Sequence, residues 1–503
     1  MDAFAGGMAI LLDPYMLWVI LAGTVLGVVV GALPGLSGST TAALLLPITI
    51  TMTPVASIAF LGAIYCAANF GGSITAILIN TPGDPSASAT AYDGYPMAAR
   101  GEAARALGMS TVASAFGGIF SIIVMIIAAP LLARAAYSFG PPEYFALAVF
   151  GLSMLGAVGS EAGIRNLIAG AFGVLLATVG LDLTTGVERF TFGVPELSEG
   201  LNLVPVLTGL FAISELLVQA GQLHILPERL ALKDAMALPS REDFRKCAKA
   251  IGLSSVLGTF IGILPALGAT TAALISYNET RRWSKYKHEF GKGAIEGIAG
   301  PEAANNAAVG GSMVPTLALG IPGSATTAII LAGLIVQGVR PGPHLFNEQP
   351  TLLYAVFSSM LAANLIYLVL GLFTARVFAR ITLIPDAILW PGVLVFAVIG
   401  AYGQNQSMVD VWVMLSFGVI GFLLRRFGFS PAPLVMGLVL GTMVEETLKQ
   451  SLLIFDQNWL MFFTRPIVVA LFAVTALSIA APWILRGLKS TMRKPASLNP
   501  VEE

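Results

Sequence analysis

Four short segments combine proline and glycine with serine, threonine or aspartate inside otherwise apolar sequence. They are residues 33–40, 80–88, 264–271 and 320–327, which read LPGLSGST, NTPGDPSAS, LPALGATT and GIPGSATT. Proline removes a backbone donor and glycine admits positive φ, so a helix is expected to stop in each segment. Amides and hydroxyls at a helix start suit an anion, and freed carbonyl oxygens suit a small cation. We call these segments the four tips.

The residue types in and near the tips predict two sets of ligands and no catalytic residue. The predicted substrate ligands are Ser37, Gly38, Ser39, Thr40, Gly268, Thr270, Thr271, Asn305, Asn306, Ser324 and Thr326. The predicted cation ligands are Gly35, Asn80, Pro82, Gly83, Asp84, Gly320, Pro322 and Gly323. Na⁺ is the only metal ion expected at these positions.

Three of the polar positions also fit a structural role. Asp84 suits a cation ligand or a proton carrier, and equally a carboxylate that caps a helix start. Asn305 and Asn306 suit a carboxylate or cation site, and equally a hydrogen bond between helices. Glu302 follows Pro301 and is interpreted as a carboxylate at a helix start.

The composition excludes a soluble protein. Of the 503 residues, 56% are hydrophobic and 11% charged, against about 25% charged in soluble domains. The net charge of -1 leaves no basic surface for nucleic acid. Cys66 and Cys247 lie in very different surroundings, so neither a disulfide framework nor a cysteine metal site is expected.

Apolar runs long enough to cross about 30 Å of hydrocarbon follow one another along the chain. They lie near 16–33, 55–80, 105–133, 142–158, 165–181, 203–221, 248–264, 301–338, 351–375, 387–401, 409–424, 432–450 and 466–485. Basic residues concentrate in the loops 223–249 and 280–292 and at loop ends such as Arg425 and Arg426, which share one side with the carboxyl terminus. This asymmetry predicts that these loops and the carboxyl terminus are cytoplasmic. No Lys or Arg precedes Arg100, so the amino terminus is predicted outside. We therefore expect an all-α, multi-pass membrane protein, surrounded by lipid.

The two halves of the chain resemble each other. Residues 31–44 align with 262–274 when Ser37 is skipped, and ten of thirteen pairs are identical. Loops that correspond in the two halves fall on opposite predicted sides, which is typical of an inverted-topology repeat. We expect about 11 to 12 membrane-crossing elements. The predicted parts are a first repeat (1–222), a cytoplasmic linker (223–249), a second repeat (250–452), and an extra helix with a cytoplasmic tail (453–503).

Several longer motifs resemble the large membrane subunit of the tripartite tricarboxylate transporters, the TctA-type family. They are GALPGLSG, ITAILINTPGDP, PEAANNA, GGSMVPTLALGIPGSATTA and GVRPGPHLF. The resemblance implies alternating-access import of di- or tricarboxylates or related organic anions, coupled to Na⁺ or alternatively H⁺. It implies no cofactor, and two partners: a small four-helix membrane subunit and an extracytoplasmic solute-binding protein. Pro265-Ala266 departs from the expected Pro-Gly and puts the backbone of that tip in doubt.

Two other classes of protein compete with this interpretation. A channel can also use broken helices, although filters usually come from rings of identical subunits. An intramembrane serine protease is suggested by GLSG at 35–38, but it needs a general base, and the histidines 224, 288 and 344 all fall in or beside loops. The chain contains no P-loop motif for direct use of ATP.

Overall fold

A computed structural model describes residues 2–156, 160–182, 185–221, 239–373 and 386–492, which are mostly helical. The helices of the amino-terminal half are α1 (Asp2–Ala9), α2 (Pro14–Gly31), α3 (Gly38–Leu45), α4 (Pro54–Ile79), α5 (Ser88–Met97), α6 (Ala103–Ala136), α7 (Pro141–Met154), α8 (Ser160–Ala177), α9 (Leu203–Thr208) and α10 (Ser214–Ala220). Those of the other half are α11 (Arg241–Ile263), α12 (Gly268–Trp283), α13 (Glu296–Leu319), α14 (Ala325–Val336), α15 (Leu345–Glu348), α16 (Pro350–Phe373), α17 (Asp386–Asn405), α18 (Met408–Arg426), α19 (Pro431–Ile454) and α20 (Pro466–Met492).

Shorter elements connect these helices. The 3₁₀ turns are Ile10–Leu12, Leu46–Thr51, Pro85–Ala87, Pro195–Leu197 and Trp459–Thr464, and Ala98–Glu102 and Gly209–Ile213 are π turns. Strands β1 (Gly180–Leu181) and β2 (Glu188–Arg189) form one antiparallel pair. Arg189 holds this hairpin to α19 by donating hydrogen bonds to Glu445. That carboxylate raises the pKa of the Arg189 guanidinium.

The length and apolarity of the helices confirm the prediction of an all-α, polytopic membrane protein. In the described part of the chain, seven helical segments are long and apolar enough to cross a bilayer. The shorter apolar helices are 38–51, 163–177, 325–336 and 466–480.

Helices α4 and α13 form the centre of the molecule. All of α13 is buried, and α4 is buried from Ala56 to Leu78. Each of them packs against a glycine-bearing helix, α2 or α11. A Cβ atom added at Gly31 or Gly262 would lie 2.5 Å from the backbone oxygen of Ala68 or Ala308. Small residues therefore bring the paired backbones together in the same way in both halves.

The element order follows the sequence duplication. In chain order, α2, α3 and α4 correspond to α11, α12 and α13 of the other half. The turn Pro85–Ala87, which follows α4, corresponds to α14. The orientation of the two halves across a membrane, and therefore their inverted topology, stays a prediction, as do the domain boundaries.

The apolar run 301–338 is interrupted as the tip at 320–327 predicts, since α13 stops at Leu319 and α14 starts at Ala325. Several other local expectations differ from the structure. Helix α12 continues to Trp283 and so takes up the start of the loop predicted at 280–292. Glu302 does not start a helix: it lies inside α13, which contains Pro301 and Pro315, and it is fully buried. Helix α11 begins at Arg241 within the predicted linker, whose residues 223–238 lie outside the described part, as does 493–503 of the tail.

Candidate functional site

The four tips meet at one cavity of about 620 Å³. Helices α3, α12 and α14 and the turn Pro85–Ala87 all start at its wall. Ten of the predicted ligands line it: Gly35, Ser37, Ser39, Pro82, Gly83, Asp84, Gly268, Thr270, Ser324 and Thr326. The wall therefore contains helix starts from both halves of the chain.

The second tip of each half forms because a central helix stops at a left-handed residue. Helix α4 ends at Asn80, whose φ is 56°, and α13 ends at Gly320, whose φ is 71°. A Pro-Gly pair follows in each half and the chain then turns into a new helical segment. Asn80 and Gly320 act as these helix caps and do not line the cavity, and neither do Pro322 and Gly323.

Asp84 fastens the two tips of the first half to each other. Its Oδ1 accepts a hydrogen bond from the Ser86 amide at 2.9 Å, and its Oδ2 accepts one from the Gly38 amide at 2.8 Å. Asp84 therefore is a capping carboxylate, as the structural alternative proposed, and it caps two helical segments. It also lines the cavity, so the geometry leaves its role as a cation ligand open.

Backbone atoms join the tips of the second half. The Ala266 amide donates to the carbonyl oxygen of Gly323 at 3.1 Å. Ala266 has a φ of 68°, close to the 86° of its counterpart Gly35. The tip therefore keeps the left-handed turn although alanine replaces glycine, at a cost of about 1–2 kcal/mol for the Cβ atom.

Hydroxyl groups cap the helices that start at the cavity. Ser37 Oγ accepts from the Thr40 amide at 3.2 Å, and Ser324 Oγ accepts from the Thr327 amide at 3.2 Å. Thr40 is buried behind this cap and does not line the cavity, and Thr271 does not line it either. The Ser37 hydroxyl also bonds to those of Ser39 and Thr40.

Helix α4 contributes two polar side chains that sequence reasoning missed. Tyr65 lies one turn before Asn69 on the same face. The Tyr65 hydroxyl bonds to Ser312 Oγ at 2.9 Å and to Ser324 Oγ at 3.0 Å, which connects α4 to a tip of the other half. Asn69 Oδ1 accepts from Ser86 Oγ at 3.1 Å, whereas the buried Asn69 Nδ2 has no hydrogen-bond partner among the described residues.

An ion pair completes the wall. Arg425 on α18 donates to Glu215 on α10, which also accepts from Gln219 at 2.8 Å. The charged residues in the lining are therefore Asp84, Glu215 and Arg425. Arg425 was interpreted only as a basic residue of a loop end, and nothing in the local sequence places it at the tips.

Asn305 and Asn306 lie behind the cavity and do not line it. Asn305 Nδ2 donates to the carbonyl oxygen of Ser86 at 3.4 Å, and Asn306 Nδ2 donates to Asn305 Oδ1 at 2.7 Å. Both side chains are fully buried on α13. The Asn305 contact joins α13 to the turn Pro85–Ala87, which matches the structural alternative, whereas the Asn306 amide bonds within α13 to Asn305 and to the Glu302 carbonyl oxygen.

The sequence profile of the "Tripartite tricarboxylate transporter TctA family" matches residues 17–436. The chain belongs to this family. The chain is also similar to a protein of Agrobacterium vitis named "Uncharacterized 52.8 kDa protein in TAR-I ttuC' 3'region", 42% identical over 90% of both chains. A second A. vitis protein, named "Uncharacterized protein in TAR-II ttuC' 3'region", is 40% identical over 42% of this chain and 88% of its own. No solved structure matches the chain.

Membership of the TctA family makes the protein a component of a tricarboxylate transporter that works with other subunits. The family consists of transporter subunits, which argues against the protease alternative. Ser37 of the GLSG string is a helix cap, and the cavity lining in the described residues contains no histidine.

Proposed function

We propose that the chain is the large transmembrane subunit of a cation-coupled secondary importer of di- or tricarboxylates. An extracytoplasmic solute-binding protein delivers the anion, and a small four-helix membrane subunit completes the transporter. The observation that carries the proposal is the convergence of all four tips on one cavity. Broken helices at matching positions of two repeats are the strongest sequence pointer to a transport site.

The two sides of the cavity suit ligands of opposite charge. The tips of the first half carry the Asp84 carboxylate, which favours a cation there. At the matching position of the second half stands Ser324, and Gly268 and Thr270 next to it are also uncharged. Helix starts without a carboxylate favour an anion, so the substrate binds toward the second half.

A co-transported cation offsets the charge of the substrate. Entry of an anion against a negative-inside potential costs about 2.3 kcal/mol per charge for each 100 mV. The proposed cation is Na⁺ or H⁺. Movement of the tips then exposes the site to each side of a bacterial inner membrane in turn. The amino terminus lies outside and the carboxyl terminus lies in the cytoplasm.

Uptake of labelled acids tests this proposal. Cells with and without the chain, each containing the two partner proteins, are given citrate, tartrate, malonate, succinate, glutamate or an aromatic carboxylate, with and without Na⁺. We expect chain-dependent accumulation of at least one acid above its external concentration. Equilibration without accumulation would favour the channel, and no uptake of any acid would contradict the proposal.

Asn69→Ala should weaken substrate binding. Among the described residues the buried Nδ2 group of Asn69 has no acceptor, and Asn69 lines the cavity. A hydrogen bond to a charged group contributes about 1.5–3 kcal/mol. We therefore expect the half-saturating concentration for uptake to rise about tenfold or more. The control is Asn278→Ala, which removes an exposed amide on α12 that bonds only to its own helix. Equal kinetics in both variants would remove Asn69 from the site.

A further inference from the structure

Glu302 is a buried carboxylate that the proposed site does not use. It lies at the centre of the molecule on α13 with no exposed surface. Its Oε1 accepts a hydrogen bond from Thr90 on α5, and its Oε2 accepts one from Ser114 on α6 at 2.8 Å. An ionisable side chain at this depth in a membrane protein is costly to keep, which points to a function in transport.

The surroundings of Glu302 provide no positive charge. The helices around α13 carry these titratable groups: Tyr65 and Cys66 on α4, Tyr92, Asp93 and Tyr95 on α5, Arg105 and Arg134 on α6, Arg241, Glu242, Asp243, Arg245, Lys246, Cys247 and Lys249 on α11, Tyr277, Glu279, Arg281 and Arg282 on α12, and Tyr354 and Tyr367 on α16; α14 has none. In the described residues none of these Lys and Arg side chains forms an ion pair with Glu302, and Arg105 is bonded to Glu102 and Asp243. Within the described part of the chain, the Glu302 carboxylate is held by the hydroxyls of Thr90 and Ser114, and the Ser110 hydroxyl and the Asn305 amide also lie beside it.

Hydroxyl partners suit a group that gains and loses a proton in place. A serine or threonine hydroxyl donates to an ionised carboxylate and, after rotation, accepts from a protonated one. A lysine or arginine partner would fix the ionised form instead. Thr90 and Ser114 thus allow both protonation states of Glu302 without a change in packing.

Polar groups extend from Glu302 in two directions. Toward the cavity, Asn305 lies one turn later on α13 and donates to the Ser86 carbonyl, and Ser86 donates to Asn69 in the cavity wall. In the other direction, Asp93 lies one turn after Thr90 on α5. It accepts from the amides of Gly293 and Ala294, both at 2.8 Å, in the region predicted to be cytoplasmic.

We propose that Glu302 binds the proton that is carried inward with the carboxylate, so that the coupling cation is H⁺. This inference rests on the proposed transport function and names its coupling ion. Glu302 takes up a proton when the site faces outward, stays neutral while the loaded site crosses, and releases the proton to the cytoplasm. No bond other than the carboxyl O–H bond forms or breaks.

Glu302→Gln should separate exchange from coupling, because glutamine resembles the protonated carboxyl and cannot release a proton. Membrane vesicles with both partner proteins are loaded with the panel acid that the wild type takes up best. With one proton per cycle, an imposed pH gradient allows the wild type about tenfold more accumulation per pH unit. In Glu302→Gln we expect exchange of labelled for unlabelled acid at the wild-type rate, and no accumulation driven by the pH gradient.

Three further variants protect this test against a folding defect. Ser114→Ala removes a donor to the ionised carboxylate and should move the pH of half-maximal uptake upward, while Ser114→Thr should restore it. Glu143→Gln is the matched control, since Glu143 is buried but only caps the Gly140 amide and lies 3.8 Å from Arg465. This variant should keep accumulation driven by the pH gradient.

The outcomes separate the inference from the proposed function. Three results would each overturn the proton site while leaving the importer intact. They are accumulation by Glu302→Gln that still follows the pH gradient, a wild-type pH profile in Ser114→Ala, and wild-type uptake that requires Na⁺ at every pH. Wild-type vesicles that neither exchange nor accumulate any panel acid would contradict the importer itself. In the purified wild type, infrared difference spectra between acid and alkaline pH should show a carboxylic acid band that Glu302→Gln lacks.

Discussion

Asp84→Asn is expected to lower uptake by about 10- to 100-fold while the protein still reaches the membrane. The Asp84 carboxylate accepts one amide hydrogen bond with each oxygen and so ties the start of α3 to the turn Pro85–Ala87. Asparagine has one oxygen, so its NH₂ group would face the second amide without an acceptor. The variant also removes the negative charge from the first-half side of the cavity.

Initial uptake rates, normalised to the amount of chain in the membrane, measure the effect. Asp13→Asn is the matched control, because Asp13 is also a helix-capping carboxylate, accepting from the Tyr15 amide at 3.0 Å, but it is exposed at the start of α2. We expect that variant to keep wild-type uptake. If Asp84→Asn also transports at the wild-type rate, the carboxylate is a cap without a role in transport.

The tips were predictable because their signals are local. Proline and glycine interrupt a helix wherever they fall together, and the matching interruptions in the two halves indicated that the four segments act together. The structure brings them to one cavity. The hydroxyl groups of Ser37 and Ser324 are helix caps there, which also follows from their position before a helical run.

The residues that sequence reasoning missed reach the cavity through tertiary packing. Asn69 belongs to a long apolar helix, and only the packing of α4 against the tips turns it toward the cavity. Arg425 and Glu215 come from distant helices that meet only in the folded chain. No local pattern distinguishes such residues from helix ends or interhelical contacts.

Glu302 was misinterpreted for a related reason. Proline often marks the first turn of a helix, so Pro301 suggested that Glu302 stands at a helix start. In the structure both residues lie inside α13, because a buried helix can include proline when its neighbours satisfy the freed backbone groups. A proline at the start of a helix is the common case, and α13 is an exception to it.

Gly323→Ala is expected to reduce the amount of folded protein and to abolish uptake by what remains. A Cβ atom at this position would lie 2.7 Å from both Cα and Cβ of Ser312 and 2.8 Å from its carbonyl oxygen. Overpacking of this kind costs about 1–3 kcal/mol when the surroundings can shift. They can shift little here, because the Gly323 amide donates to Thr316 Oγ1 at 3.3 Å and its carbonyl accepts from Ala266.

Displacement of Gly323 would also pull Ser324 away from Tyr65, so the second-half tips would lose their contact with α4. The thermal unfolding temperature of the detergent-solubilised protein and the uptake rate per folded molecule measure the two effects. Gly252→Ala on α11 is the matched control: it adds the same atom where nothing lies within 4 Å, so stability and uptake should be kept or slightly improved. A Gly323→Ala protein as stable and active as this control would mean that the tip can move away from α13 without loss, and that its close contact with Ser312 does not hold the site together.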